Sequence, residues 1–125
     1  MIRNRTKNTI LASSERSAER WFARLRGLIG HDFCSFDGMV FPDCSAIHTF
    51  FMGMKIDVLF LDGNGTVMRA CPAVPPWKPC LTEKRSCITV ELPEGTIART
   101  QTAAGDSIRL ENPENGAILP WNMRK

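Results

Sequence analysis

The sequence predicts an α+β fold, with one amphipathic N-terminal helix packed on a curved, mainly antiparallel β-sheet or partial barrel of five to six short strands. Three observations lead there. Ala18, Trp21, Phe22, Leu25, Leu28 and Ile29 recur at helical spacing. From Ile56 to Leu61 nearly every residue is apolar on both faces of a period-2 repeat, the mark of a strand covered on two sides. Short alternating runs, broken by glycine, proline and asparagine turns, then continue to Glu111.

Residues 1–9 are polar and basic and read as an arm, leading at most into an edge strand at Thr9-Ile10-Leu11. Ser13 or Ser14 can cap the helix, with Glu15 at the positive end of its dipole and Gly30 as a left-handed stop. Gly38-Met39-Val40-Phe41 is a short strand ended by Pro42, and Pro42 to Ser45 is a turn. The stretch His48–Asp62 reads as two strands with an irregular break near Gly53. In its second half Ile56, Val58 and Phe60 face one way, Asp57, Leu59 and Leu61 the other. Gly63-Asn64-Gly65 folds the chain back as a hairpin into Thr66–Ala70. Cys71 to Cys80 carries four prolines and Trp77, so it is an extended loop or edge segment. Ser86–Leu92 alternates with Ile88, Val90 and Leu92 inward and Cys87, Thr89 and Glu91 outward. A helical turn falls within Thr96–Ala104, and Ser107–Glu111 forms a last strand ahead of a turn-rich tail anchored by Trp121.

At 125 residues, 43% hydrophobic and 23% charged, the chain reads as a single domain, 1–125, with its core at about 10–111 and a tail over 112–125. The net charge of +3 is uneven: Arg3, Arg5, Lys7, Arg16, Arg20, Arg24 and Arg26 outnumber Glu15 and Glu19 in the first 30 residues. Such a portion could meet phosphates or anionic lipid, although Glu15 and Glu19 dilute its field and nucleic acid is disfavoured. Five cysteines without a CxxC pair suggest neither a zinc ribbon nor a full disulfide framework. No leader-like apolar run and no transmembrane segment is seen, so a cytoplasmic location is expected.

Several segments in order carry a resemblance. Glu19-Arg20 leading to Gly27-Leu28-Ile29, Gly38-Met39-Val40-Phe41, His48-Thr49-Phe50-Phe51-Met52, Ile56 to Asp62, Glu91-Leu92-Pro93-Glu94-Gly95 and Gly105-Asp106 are together similar to the bacterial and archaeal family known as domain of unknown function 192. The likeness runs from about Ala12 to Glu111. It implies a compact β-rich α+β domain and brings no catalytic residues with it.

Asp57 is the leading candidate for chemistry, because a carboxylate within an apolar strand must be paired or hydrogen-bonded and often has a shifted pKa. Its bland alternative is a carboxylate satisfied by loop amides or by Lys55, Arg69 or Arg85. Cys44 and His48, four apart, are candidate metal-binding or nucleophilic partners, and His31 with Cys34 forms a looser pair. Phe50, Phe51 and Met52 could line a shallow groove with Trp77 of the proline-rich loop. With no phosphate loop, nucleophile elbow or metal-spaced cluster, no cofactor is expected. The leading expectation is a non-enzymatic module binding a small ligand or protein partner; a small enzyme built on Asp57 with Cys44 or His48 is the rival.

Overall fold

A computed structural model of the chain describes residues 1–17, 36–47, 53–77 and 81–121. Among these, eleven strands and a single five-residue helix make a mostly β architecture. The strands are β1 (Ile2–Asn4), β2 (Thr9–Ala12), β3 (Arg16–Ser17), β4 (Met39–Pro42), β5 (Ala46–Ile47), β6 (Ile56–Leu61), β7 (Val67–Val74), β8 (Leu81–Thr82), β9 (Ile88–Pro93), β10 (Ile108–Glu111) and β11 (Ile118–Leu119), with helix α1 (Thr96–Thr100) between β9 and β10.

The α+β expectation is therefore corrected. Instead of one sheet of five to six strands under a helix, two open sheets face each other, ordered β11-β10-β1-β2 and β3-β4-β9-β6-β7, beside a small β5-β8 pair. Neither large sheet closes on itself as a partial barrel would. The helix expected from Ser13 or Ser14 does not start there: Arg16 and Ser17 form β3, parallel to Met39 and Val40 of β4. The reason is a partner from elsewhere in the chain: the Arg16 amide donates to the Gly38 carbonyl at 2.9 Å, so the backbone after Ser14 is drawn into the ladder with β4, while the Ser13 and Ser14 amides donate to the Asp37 carboxylate at 2.9 and 2.8 Å and fix the approach. The apolar stripe Ala18–Ile29 lies outside the described residues.

The ends of the chain also differ from the arm and tail expected of them. Ile2–Asn4 is an inner strand between β10 and β2, and Ile2 is fully buried. Ile118 and Leu119 pair with β10. Both segments are too short for period-2 alternation to reveal, and Arg3 within β1 and Arg5 just after it mask its single apolar residue.

Residues 56–61 are all buried, with β9 on one side and β7 on the other. Leu59 and Leu61 enter the core between the large sheets with Val40, Val90, Leu92, Ile108 and Leu110. Ile56, Val58 and Phe60 enter a second core with Phe36, Met39, Phe41, Val74 and Leu81. This second core explains why Thr89 and Glu91, expected outward, are buried: β9 sits mid-sheet with both faces covered. Truncating a side chain such as Leu59 to alanine is expected to cost about 2–5 kcal/mol.

The hairpin turn stitches the sheets together. Asp62 Oδ1 accepts from the amides of Asn64 and Thr66, both at 2.9 Å. Gly65, at φ 83°, accepts at its carbonyl from the Ile108 amide at 2.8 Å, and a Cβ there would overlap the Ile108 carbonyl. Strand β7 continues through Pro72, which the ladder tolerates because β7 is the edge of its sheet.

Candidate functional site

The Asp57 side chain leaves β6 on the face between the sheets and is 1% exposed. Its two oxygens are used separately: Oδ1 accepts from the Ala73 amide at 2.9 Å and Oδ2 from the Ile97 amide at 2.8 Å. Ala73, at φ 51°, marks the irregular end of β7, and Ile97 lies in the first turn of α1. The carboxylate thereby ties the edge strand and the helix to the sheet. Lys55, Arg69 and Arg85 are not needed: Arg69 donates to the Thr82 carbonyl, and Arg85 pairs with Glu83 at 2.9 Å.

The most isolated buried carboxylate is Glu91. It lies opposite Met39 of β4 and Val58 of β6, is 3% exposed, and leaves Oε2 with no hydrogen-bond partner. Burial alone pushes its pKa up to about 8, so it holds a proton at neutral pH. No sequence signal separated Glu91 from an outward residue, because its strand alternates as a half-wet strand does.

Cys44 is half-buried against the second core and its thiol contacts the Ala46 carbonyl at 3.0 Å. The structure does not bring it to Asp57, which faces the other side of the sheet. His48, Phe50, Phe51 and Met52 lie outside the described residues, as do His31 and Cys34. Trp77 is on the turn after β7, 59% exposed and at φ 64°.

An open cleft of about 340 Å³ lies elsewhere, where the ends of β4 and β9 meet the β6–β7 turn and the C-terminal segment. Pro42, Ile88, Pro120 and Trp121 supply apolar walls, while Asp43, Gly63 and Cys87 complete the lining. Trp121 is held by packing against the core between the sheets. The thiol pKa of Cys87 is raised by partial burial, then by the charges of Asp62 and Asp43. Sequence reasoning gave Trp121 an anchoring role only; the cleft is assembled from four separate segments, and no spacing announces it.

Among the described basic N-terminal residues, Arg3, Arg5 and Lys7 are paired. Arg3 Nε meets Glu111 Oε1 at 2.9 Å, Arg5 reaches Oε2 of the same carboxylate at 3.4 Å, and Lys7 Nζ meets Asp106 at 3.0 Å. Asp106 also accepts from Asn4 at 2.9 Å, and these bonds outweigh burial to hold its pKa below the usual range. Arg16 stacks on Phe36, 5.2 Å from the ring centre. No helix among the described residues is long and apolar enough to cross a membrane.

Comparison with known proteins is consistent with this architecture. The model of the family DUF192, described as an uncharacterized ACR, matches residues 2–110. A UPF0127 protein of Thermococcus sibiricus is 30% identical over 126 residues, covering 96% of this chain and 80% of its own. A crystal structure of a protein of unknown function from Novosphingobium aromaticivorans superposes with a TM-score of 0.68 at 19% identity, over 77% of this chain and 74% of the other. Another, from Sinorhizobium meliloti and described as a candidate transcription regulator, gives 0.68 at 20% identity over 75% and 78%. At these identities the two structures bear on the fold alone.

Proposed function

Since the chain belongs to the DUF192 family, whose description is only that of an uncharacterized ACR, we propose from its own geometry that it is a non-enzymatic binding module. The observation that carries this reading is the cleft of about 340 Å³ walled by Pro42, Ile88, Pro120 and Trp121. Its volume is at the small end of ligand sites, and proline rings together with a Trp121 side chain already packed against the core lose little entropy when they are covered. The occupant that suits it is an apolar or aromatic group carried by a small molecule or a peptide.

The enzymatic rival has less support. A general acid or base needs a carboxylate that substrate can reach, whereas Asp57 is 1% exposed and holds two backbone amides. Attachment to anionic surfaces through Arg3, Arg5 and Lys7 is weakened by their pairing, while Arg20, Arg24 and Arg26 of the basic stripe lie outside the described residues. A second binding surface, the groove between Trp77 and the His48–Met52 segment, is favoured by the 59% exposure of the Trp77 ring. The cytoplasm is the compartment proposed for this activity.

Capture from a lysate of the native host tests the reading. Wild-type protein, Trp121→Ala and Trp77→Ala are immobilised side by side and the retained species quantified by mass spectrometry. Loss of one specific species with Trp121→Ala, but not with Trp77→Ala, is the expected result. Loss with Trp77→Ala alone moves the site to the proline-rich loop. Equal capture by all three contradicts both surfaces.

A further inference from the structure

We propose that Asn115 is a self-modifying site: it closes a succinimide on the Gly116 nitrogen, opens to isoaspartate, and so loosens the cleft wall that follows it. The chain carries two Asn-Gly pairs, Asn64-Gly65 and Asn115-Gly116. Such pairs are chemically labile, because glycine has no Cβ to hinder attack by its own nitrogen on the asparagine carboxamide. The two pairs share this chemistry and differ in how the fold holds them.

At Asn115 the electrophile is held ready. Its Oδ1 accepts from the Ala117 amide at 2.9 Å. Negative charge gathers on that same oxygen when the carboxamide carbon is attacked, and an N–H at this distance stabilises it as an oxyanion-hole donor does. Asn115 and Gly116 are both exposed, and nothing lies within 4 Å of where a Gly116 Cβ would stand. The Gly116 amide donates to the Asn112 carbonyl at 2.8 Å, so this bond must open before the nitrogen attacks. The opening is local. The other bonds described for the turn also run within 112–117, from the Asn112 amide to the Ala117 carbonyl and from the Glu114 amide to Asn112 Oδ1, both at 2.8 Å. The turn leads into β11, two residues long and at the edge of its sheet. Short exposed edges open at a small fraction of the global unfolding free energy.

Asn64 has the opposite surroundings. The Gly65 amide donates to the Asp62 carbonyl at 3.0 Å, the Gly65 carbonyl accepts from the Ile108 amide at 2.8 Å, and Gly65 is buried. The bonds described for Asn64 are made by its backbone, which donates to Asp62 Oδ1 and accepts from Arg109, and none supports its carboxamide oxygen. Freeing the Gly65 nitrogen therefore means detaching the turn from β10.

In the first step the Gly116 nitrogen gives its proton to a base and attacks Asn115 Cγ. The new C–N bond forms, the Cγ–Nδ2 bond breaks, and Nδ2 leaves as ammonia carrying the proton. Water then adds to one of the two succinimide carbonyls: opening at the α-carbonyl gives isoaspartate, opening at the other gives aspartate. One water is consumed and one ammonia released, with no change of oxidation state. Isoaspartate routes the backbone through the former side chain, one methylene longer, which disturbs the pairing of Ile118 and Leu119 with β10. Pro120 and Trp121 come next in the chain and wall the cleft. The conversion does not depend on what the cleft binds.

The test ages intact wild-type protein in mildly alkaline buffer, with and without guanidinium, and follows it by trypsin digestion and mass spectrometry. Peptide 56–69 carries Asn64 and peptide 110–124 carries Asn115. In folded protein Asn115 should convert roughly tenfold or more faster than Asn64, with isoaspartate exceeding aspartate. In guanidinium the two rates should become alike. Asn115→Gln should block conversion in its peptide, and the Trp121 indole N–H signal should shift on ageing in the wild type but not in this variant. Equal rates in folded protein, a faster Asn64, or a preference that survives in guanidinium would overturn the assignment. A Trp121 signal that stays in place after conversion would overturn the effect on the cleft.

Discussion

Two buried carboxylates on neighbouring strands show opposite solutions to the same cost. Asp57 remains where it is because two backbone amides complete its shell. Asp57→Ala strands both amides, and urea unfolding should show a loss of about 3 kcal/mol; a loss below about 0.5 kcal/mol would refute the clamp. Glu91 has no such partner and keeps its proton instead. Its folded pKa of about 8 exceeds the unfolded value of 4.5, so the folded state binds more protons between those limits. Stability from this group is full below about pH 4.5, falls as pH rises, and is lost above about pH 8. Over that window the change is on the order of 4 kcal/mol. Glu91→Gln should flatten it, and unfolding midpoints at pH 5 and pH 8.5 give the comparison. An equal pH slope in the variant would assign the dependence to other groups. The sequence made Asp57 conspicuous, as a lone charge in a two-sided apolar run. Glu91 was hidden in a run that alternates polar and apolar; only the second core, assembled from β4, β6, β7 and β8, turns its outward face into an inward one.

Among elements, the hairpin from β6 to β7 was legible from its turn residues and the two-sided apolar run of Ile56 to Leu61. The turn also does more than reverse the chain, because Gly65 lies against β10. Gly65→Ala demands both a left-handed residue and space held by the Ile108 carbonyl, so a loss of about 2–4 kcal/mol is expected from the chemical denaturation midpoint. A loss no larger than that of an exposed surface alanine would mean that the turn is not docked. Elements of only two or three residues were illegible. β1, β3 and β11 are strands because partners from distant sequence complete their ladders, not because their residues favour extension. The helix start expected at Ser13 or Ser14 failed for a related reason: the Arg16 amide is claimed by the Gly38 carbonyl, more than twenty residues away.

At the scale of the molecule, two sheets and two cores hold β6 and β9 in the interior. The cleft of Pro42, Cys87, Pro120 and Trp121 forms where β4 ends and β9 begins. No motif predicted it, since its walls come together only when the C-terminal segment packs beside the β6–β7 turn. Pairing of Arg3, Arg5 and Lys7 with Glu111 and Asp106 makes a prediction at this scale: binding of anionic vesicles through residues 1–9 should be weak, and charge reversal of these three residues should change its salt dependence little. Steep salt-dependent binding would restore the basic-surface reading. The most direct measurement of the binding reading is the indole N–H spectrum of nitrogen-labelled protein, titrated with whatever species the wild type captures. The account predicts that the Trp121 signal moves with saturation; a titration that moves only the Trp77 or Trp21 signal would contradict it.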